Sequence, residues 1–416
     1  MRPAGRSSCD RALHPRRGAA CRHRPSDRHW FCAPRRSACR RLRRPGRDHR
    51  RIGVDVLDAP SPPATGRVPH RDRALDAVRG LCIVSMTSAH LAPNTPPTRA
   101  LHLLPWVDGA SGFVLVSGLV LGMVLPGRVA RGGGGAAARS LVRRARLLYL
   151  THVAAVLLAL ASGLVVAHRH PLDGHALLAA LTLQLNPVNV NILSLYVVLL
   201  LLAVPATALL RRGRLGWLGV ASAALYVVGQ VAPVVTTLPA DGPLEFNWAA
   251  WQLLFLSALA VGWTWRTRGL QARVQSPRVV AVATGGLVVV VAAGLAATLL
   301  DRAEPVAGWV FDKGDAGPGR VLLAWLAFVV LYRCTALATS RLPRPLLAPL
   351  EVVGRRSLDS FVILTVGTLL VAAVLPVDRS RVVSVAIAVA ALVAMGVWAW
   401  SRDRWTAARR DPRPRV

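Results

Sequence analysis

Lysine is nearly absent from this chain. Lys313 is the single one in 416 residues, so the net charge of +32 rests on arginine. Acidic residues are also sparse, 20 against 52 basic ones. There is no Walker loop, no G-x-S-x-G elbow, no H-E-x-x-H pair and no glycine fingerprint following a strand. These absences exclude the common soluble phosphate-binding, hydrolase, zinc-protease and dinucleotide chemistries. Cysteine offers no framework either. Cys9, Cys21, Cys32 and Cys39 crowd the first 40 residues in spacings that match no paired zinc motif, and His14, His23 and His29 do not complete one. Cys82 and Cys334 fall in apolar segments as small core residues. No metal site and no disulfide pairing is expected.

What the chain has in abundance is apolar sequence, 53% of its residues, with a mean hydropathy of +0.42. Val153 to Ala167, Ile192 to Leu210 and Val279 to Leu300 carry no charge. With their flanks they are long enough for a hydrocarbon core of about 30 Å. The fold class expected is all-α: a polytopic integral membrane helix bundle. About ten spans are predicted, at Ala77–Pro97, Trp106–Pro126, Leu147–His168, Ile192–Leu210, Leu215–Val235, Trp248–Trp265, Val279–Leu300, Val321–Ser340, Leu358–Val377 and Val382–Trp400. The first is the weakest, because its apolar centre, Gly80 to Ala92, is short enough for an interfacial or re-entrant segment. In the second, Gly118 and Gly122 form a small-xxx-small pair that predicts close helix packing.

The arginines sort with this topology. One side collects the N-terminal tail, Arg128 to Arg146, Arg211 to Arg214, Arg266 to Arg278, Arg341 to Arg356 and the C-terminal tail. The other side has Asp241 and Glu245, and then Asp301, Glu304, Asp312 and Asp315. The positive-inside rule therefore predicts a multi-pass plasma-membrane protein with both termini cytoplasmic. It also accounts for the basicity without a nucleic-acid partner. Residues 1–69 lack hydrophobic periodicity and the apolar core of a signal peptide. They read either as an Arg-rich disordered tail or as untranslated upstream sequence with the start at a valine such as Val54 or Val68. Residues 70–402 form the membrane domain and 403–416 a basic cytoplasmic tail.

The chemistry is expected in the first span. Arg79 and His90 lie eleven residues apart, about 20° from the same helical face and about 16 Å apart along the axis. Asp76, three residues before Arg79, points nearly the same way. A neutral-range imidazole suits removal of a proton from an attacking hydroxyl, and a guanidinium fork suits a phosphate or carboxylate. Bland readings stand beside these. His90 could bond a neighbouring helix, Arg79 could reach the headgroups, and Asp76 could pair with Arg79 or simply start the helix. Asp108, with Ser111 and Ser117, either lines the same cavity or caps a helix. Arg143, Arg146, Tyr149 and His152 form a broad polar face, from which Arg146 and His152 are the ones expected to reach inward. Trp248, Trp251 and Gln252 open the sixth span. Tryptophan there suits an interfacial belt, and the glutamine suits a partner within the bundle.

The stretch RDRALDAVRGLCIVSMTSAH, Arg71 to His90, resembles the first transmembrane segment of the OpgC family, which is associated with succinylation of osmoregulated periplasmic glucans. It also fits the Arg-x10-His spacing of the wider acyltransferase-3 group. GFVLVSGLVLG (Gly112 to Gly122), LSLYVVLLLLAVPA (Leu193 to Ala206), FNWAAWQLLFLSALAVGW (Phe246 to Trp263) and GRRSLDSF (Gly354 to Phe361) are similar to further family motifs, in order, over residues 70 to 400. The resemblance implies a membrane O-acyltransferase that moves a succinyl or acetyl group from acyl-CoA, a co-substrate such as succinyl-CoA, onto a hydroxyl of a cell-envelope glycan. No cofactor is bound, and the partners are the acyl donor, the glycan acceptor and membrane lipids. His90 carries over as the general base, with Arg79 and Asp76 in support. Asp108, Arg146, His152, Trp251 and Gln252 are assigned to substrate binding. The alternative from another class is a transporter or flippase for a glycolipid or acylated intermediate, which makes no bond.

Overall fold

The computed structural model describes residues 71–102, 106–161, 173–187, 190–239, 245–299, 304–375 and 379–410. The expectations for residues 1–69 and 411–416, for Asp241 and Asp301, and for the ends of the third and ninth predicted spans lie outside the described residues. In chain order the helices are α1 (Arg73–Leu91), α2 (Pro96–Leu101), α3 (Gly109–Ala161), α4 (Gly174–Leu181), α5 (Asn191–Arg211), α6 (Leu215–Val231), α7 (Pro233–Thr236) and α8 (Trp248–Thr264). They continue as α9 (Leu270–Val274), α10 (Pro277–Leu299), α11 (Glu304–Phe311), α12 (Pro318–Arg341), α13 (Arg344–Arg355), α14 (Ser357–Val374) and α15 (Arg381–Arg410). The extended structure among the described residues is one two-residue antiparallel pair, β1 (Thr237–Leu238) with β2 (Phe246–Asn247).

Among the described residues six helices, α3, α5, α10, α12, α14 and α15, are long and apolar enough to cross a membrane, while α6 and α8 are apolar but shorter. They divide into an inner and an outer set. The apolar windows of α3 and α5 are 56% and 61% buried, against 22% for α10 and for α15. The outer helices present bare valine and tryptophan, such as Trp217, Val282 and Val382, as lipid-facing helices do.

Four sequence expectations change. The second and third spans are joined by helix, not by a loop: α3 runs through the arginine-rich connection and breaks at Gly133, whose φ of 68° and ψ of −179° suit only glycine. The first helix stops at Leu91. Asn94 turns the chain in the left-handed region, and Pro96 starts α2, so the residues up to Pro97 fold back instead of extending α1. The connection Arg341 to Arg356 contains the amphipathic helix α13. Finally, α15 continues to Arg410, so the segment from residue 403 begins as helix, with Asp403 bound by Arg355 at 3.0 Å and Arg356 at 2.9 Å.

The inner helices meet at glycines. A Cβ on Gly118 would lie 2.3 Å from the Phe255 carbonyl oxygen of α8, and one on Gly122 would lie 2.1 Å from that of Leu259. Gly262 answers from α8, 2.0 Å from the Leu119 oxygen. The same device joins α1 to α13, where Gly80 abuts the Leu350 carbonyl and Gly354 abuts that of Asp76. Without a hydrophobic drive between helices in lipid, such close backbone contact supplies the association energy. Gly122→Val is expected to cost about 1–3 kcal/mol or more through overpacking. It should cut the yield of monodisperse detergent-extracted protein, whereas Gly219→Val, which has open space around it, leaves the yield unchanged.

Candidate functional site

Helix α1 starts under tight polar control. Asp72 caps it, accepting from the amides of Ala74 and Leu75 at 3.0 and 3.3 Å, and takes a 2.6 Å bond from the Tyr332 hydroxyl. Arg73 grips Glu351 of α13 through Nε and Nη2 at 2.8–3.1 Å. Asp76 is buried, but its partner is Arg71, at 2.5 and 3.1 Å, and not Arg79. A polar cavity of about 420 Å³ opens at this end, with Arg71, Arg73, Arg266 and Gln271 in its wall.

Deeper along α1, Arg79 is 6% exposed. Its Nη2 donates to Ser357 Oγ at the start of α14, and its Nε has no acceptor. The charges acting on it include Arg144 and Asp76, with Tyr196 also close. Tyr196 stands on an aromatic base of Phe113, Phe255 and Phe361, with ring centroids 5.5–6.5 Å away. The Nε of Arg144 is likewise enclosed without a partner, and the hydroxyls of Tyr196 and Ser117 face each other. A buried and a half-buried guanidinium thus come together where the nearby carboxylate already serves Arg71. Such a place is costly when empty of anions and suited to one.

The other end of the stripe is built differently. His90 sits in the last turn of α1, exposed and without a hydrogen bond to the described residues. The charges acting on it are Lys313 and Asp108. Asp108 caps α3 by accepting from Ser111 N at 2.8 Å, and pairs with Arg320 at 2.9 Å and Lys313 at 3.4 Å. The loop that carries Lys313 is pinned on several sides. Asn247 Nδ2 donates to Asp315 Oδ1 at 2.9 Å, Trp251 Nε1 to the carbonyls of Lys313 and Gly314 at 3.1 and 3.0 Å, and Gln230 to that of Asp315 at 2.7 Å.

The remaining sequence candidates disperse. Arg146 points outward, and Arg144, two residues earlier and 200° away round the helix, is the arginine that turns to Arg79. His152 is fully buried on the Leu148 and Val156 face, against the Val190 backbone at the start of α5. Trp251 is fully buried and its donor holds the Lys313 loop, so it is not an interfacial belt residue. Gln252 is spent on α6: its Oε1 accepts from Ser222 Oγ at 2.8 Å, and its Nε2 donates to the carbonyls of Ser222 and Ala249. Ser111 and Ser117 face different places, the first toward Asp108 and the second toward Tyr196. Sequence reasoning missed Arg144, Tyr196 and Ser357. Arg144 was legible as the neighbour of the buried Leu141, Ala145, Leu148 series, whereas Tyr196 and Ser357 come from distant helices.

Asp108→Asn strips Arg320 and Lys313 of their shared carboxylate. It should destabilise the protein by about 3–5 kcal/mol, because Arg320 is a buried charge. Adding Arg320→Met should recover much of the loss. Thermal unfolding of the two variants in detergent measures the coupling.

A family model described as OpgC protein matches residues 71–407. No curated protein and no solved structure matches the chain.

Proposed function

The chain belongs to the OpgC protein family, and on that premise we propose that it transfers an acyl group from acyl-CoA to a hydroxyl of a cell-envelope glycan. The family's general character is that of a membrane acyltransferase that modifies glucans. The observation that carries the finer reading is the Arg79 and Arg144 neighbourhood: a buried and a half-buried guanidinium whose enclosed Nε donors have no acceptor, a place suited to an anionic ligand. A CoA thioester is polyanionic, and a succinyl group adds a carboxylate. In this reading the donor's charged part rests at the arginine-rich start of α1, and the acyl end reaches up the helix. His90, about 16 Å further along, takes the proton of the acceptor hydroxyl.

Ten crossings are assigned by adding α1, both halves of α3, α6 and α8 to the other long helices. Both termini then lie on the cytoplasmic side, because the arginine clusters alternate with the acid-bearing connections. The donor would enter from the cytoplasm and the acceptor from outside.

Mass spectra of envelope glycans from strains with and without the gene should differ by one acyl unit per modified position. Unchanged glycans, with vectorial movement of a glycolipid by the purified protein, would turn the reading to a carrier. His90→Ala is expected to abolish acylation at unchanged abundance. Arg79→Lys keeps the charge but loses the planar fork. It and Arg144→Ala should lower kcat/KM for the acyl donor by about 10- to 100-fold, the worth of one charged hydrogen bond. A donor titration of free CoA release measures this.

A further inference from the structure

A second face of α1 carries a hydroxyl that the stripe does not use, and it meets an imidazole at the end of α2. Ser85 is six residues beyond Arg79, so it points about 120° away from it. Ser85 Oγ lies 3.2 Å from His102 Nε2. His102 Nδ1 is 2.9 Å from the Thr98 carbonyl oxygen, which can only accept, so the proton of the neutral ring is on Nδ1. Nε2 is then the acceptor, and Ser85 the donor. This tautomer is held by the turn itself. Thr98 Oγ1 donates to the carbonyls of Ser88 and Ala92, at 3.1 and 2.7 Å, and Thr95 Oγ1 to that of Ala92 at 2.8 Å. The fold-back after α1 is therefore lashed down so that His102 meets Ser85.

Three further features converge there. Ser85 lines a largely apolar cavity of about 350 Å³ between α1, α2, α3, α10 and α12. The start of α3 lies against it, since a Cβ on Gly109 would be 2.9 Å from Ser85 Oγ. Ser111, 2% exposed, stands in the same wall beside Asp108. A nucleophile and an oriented base beside an acyl-sized apolar cavity are parts of an acyl-enzyme site.

We infer that Ser85 carries the acyl group as an ester during transfer, with His102 as its base. This rests on the acyl-transfer reading above. Ser85 Oγ attacks the thioester carbonyl and its proton passes to His102 Nε2. The C–S bond breaks, and the thiolate leaves as thiol with that proton. The acceptor hydroxyl then attacks the ester, the acyl–Oγ bond breaks, and the acceptor's proton ends on Ser85 Oγ.

The test uses the full chain in detergent with succinyl-CoA or acetyl-CoA and no glycan, followed by peptide mapping. One acyl group is expected on the peptide containing Ser85. Ser85→Cys, which preserves shape, should convert the adduct to a thioester cleaved by neutral hydroxylamine. His102→Gln should slow its formation by about 100-fold or more. Ser85→Ala should remove both the adduct and glycan acylation. Wild-type transfer to glycan with no trapped adduct, and Ser85→Ala transferring at the wild-type rate, would overturn the ester while leaving acyl transfer intact. A wild type that neither forms an adduct nor acylates glycan would overturn both.

Discussion

The polar helix α1 must be wrapped by protein, and much of the architecture follows from that requirement. Fourteen of its nineteen residues are buried, including Asp76 and Arg79. Two acids and three arginines within its first turns and flank exclude it from lipid, where each uncompensated charge costs at least about 2.5 kcal/mol. The surrounding chain answers with partners: Tyr332 on Asp72, Arg71 on Asp76, and Glu351 on Arg73. These bonds hold only if α13 and α12 come close. Glycines at positions 80 and 354 permit that approach, since neither tolerates a Cβ against the opposing carbonyl. The electrostatics of α1 and the glycine contacts are thus one constraint.

The same constraint explains which parts of the molecule were legible in the sequence. Hydropathy finds long apolar helices, so α5, α10, α12 and α14 were placed within a few residues, as was the start of α15, which runs ten residues past its predicted end. It marks α1 as weak because a helix shielded by protein has no need of a continuous apolar surface. Eleven-residue spacing puts Arg79 and His90 on one line, yet the first is buried and the second exposed, and spacing within one helix says nothing of partners elsewhere. Asp76 was free to be read as a partner of Arg79 because Arg71, just before the helix, is invisible to helical periodicity. Arg146 was chosen over Arg144 for a related reason: a three-residue step drifts, and only the buried series Leu141, Ala145, Leu148, His152 fixes the inward face of the second half of α3.

Loops hid more than helices did. Nothing in the run GDAG, residues 314 to 317, announces that Lys313 will be held beside Asp108. The placement comes from Asn247, Trp251 and Gln230, three residues whose side chains look like ordinary span furniture in sequence. Trp251, assigned to substrate, therefore serves the site at one remove by holding the loop that carries Lys313, while Gln252 spends its donor on joining α8 to α6.

One helix with two chemically distinct faces resolves a difficulty of distance. Arg79 and His90 lie about 16 Å apart along the axis, too far for a single carbonyl to touch both. A thioester anchored by its anionic part near Arg79 needs its acyl carbon delivered toward the end that bears His90. Ser85 lies between them along the axis, roughly 9 Å from Arg79 and 7.5 Å from His90 in helical rise. It is turned away from both, toward a cavity whose lining is largely apolar. A relay at that height shortens each leg of the transfer. The rotation of 120° then has a physical use, because it keeps the polyanionic donor and the hydrated acceptor on one face while the acyl group waits on the other.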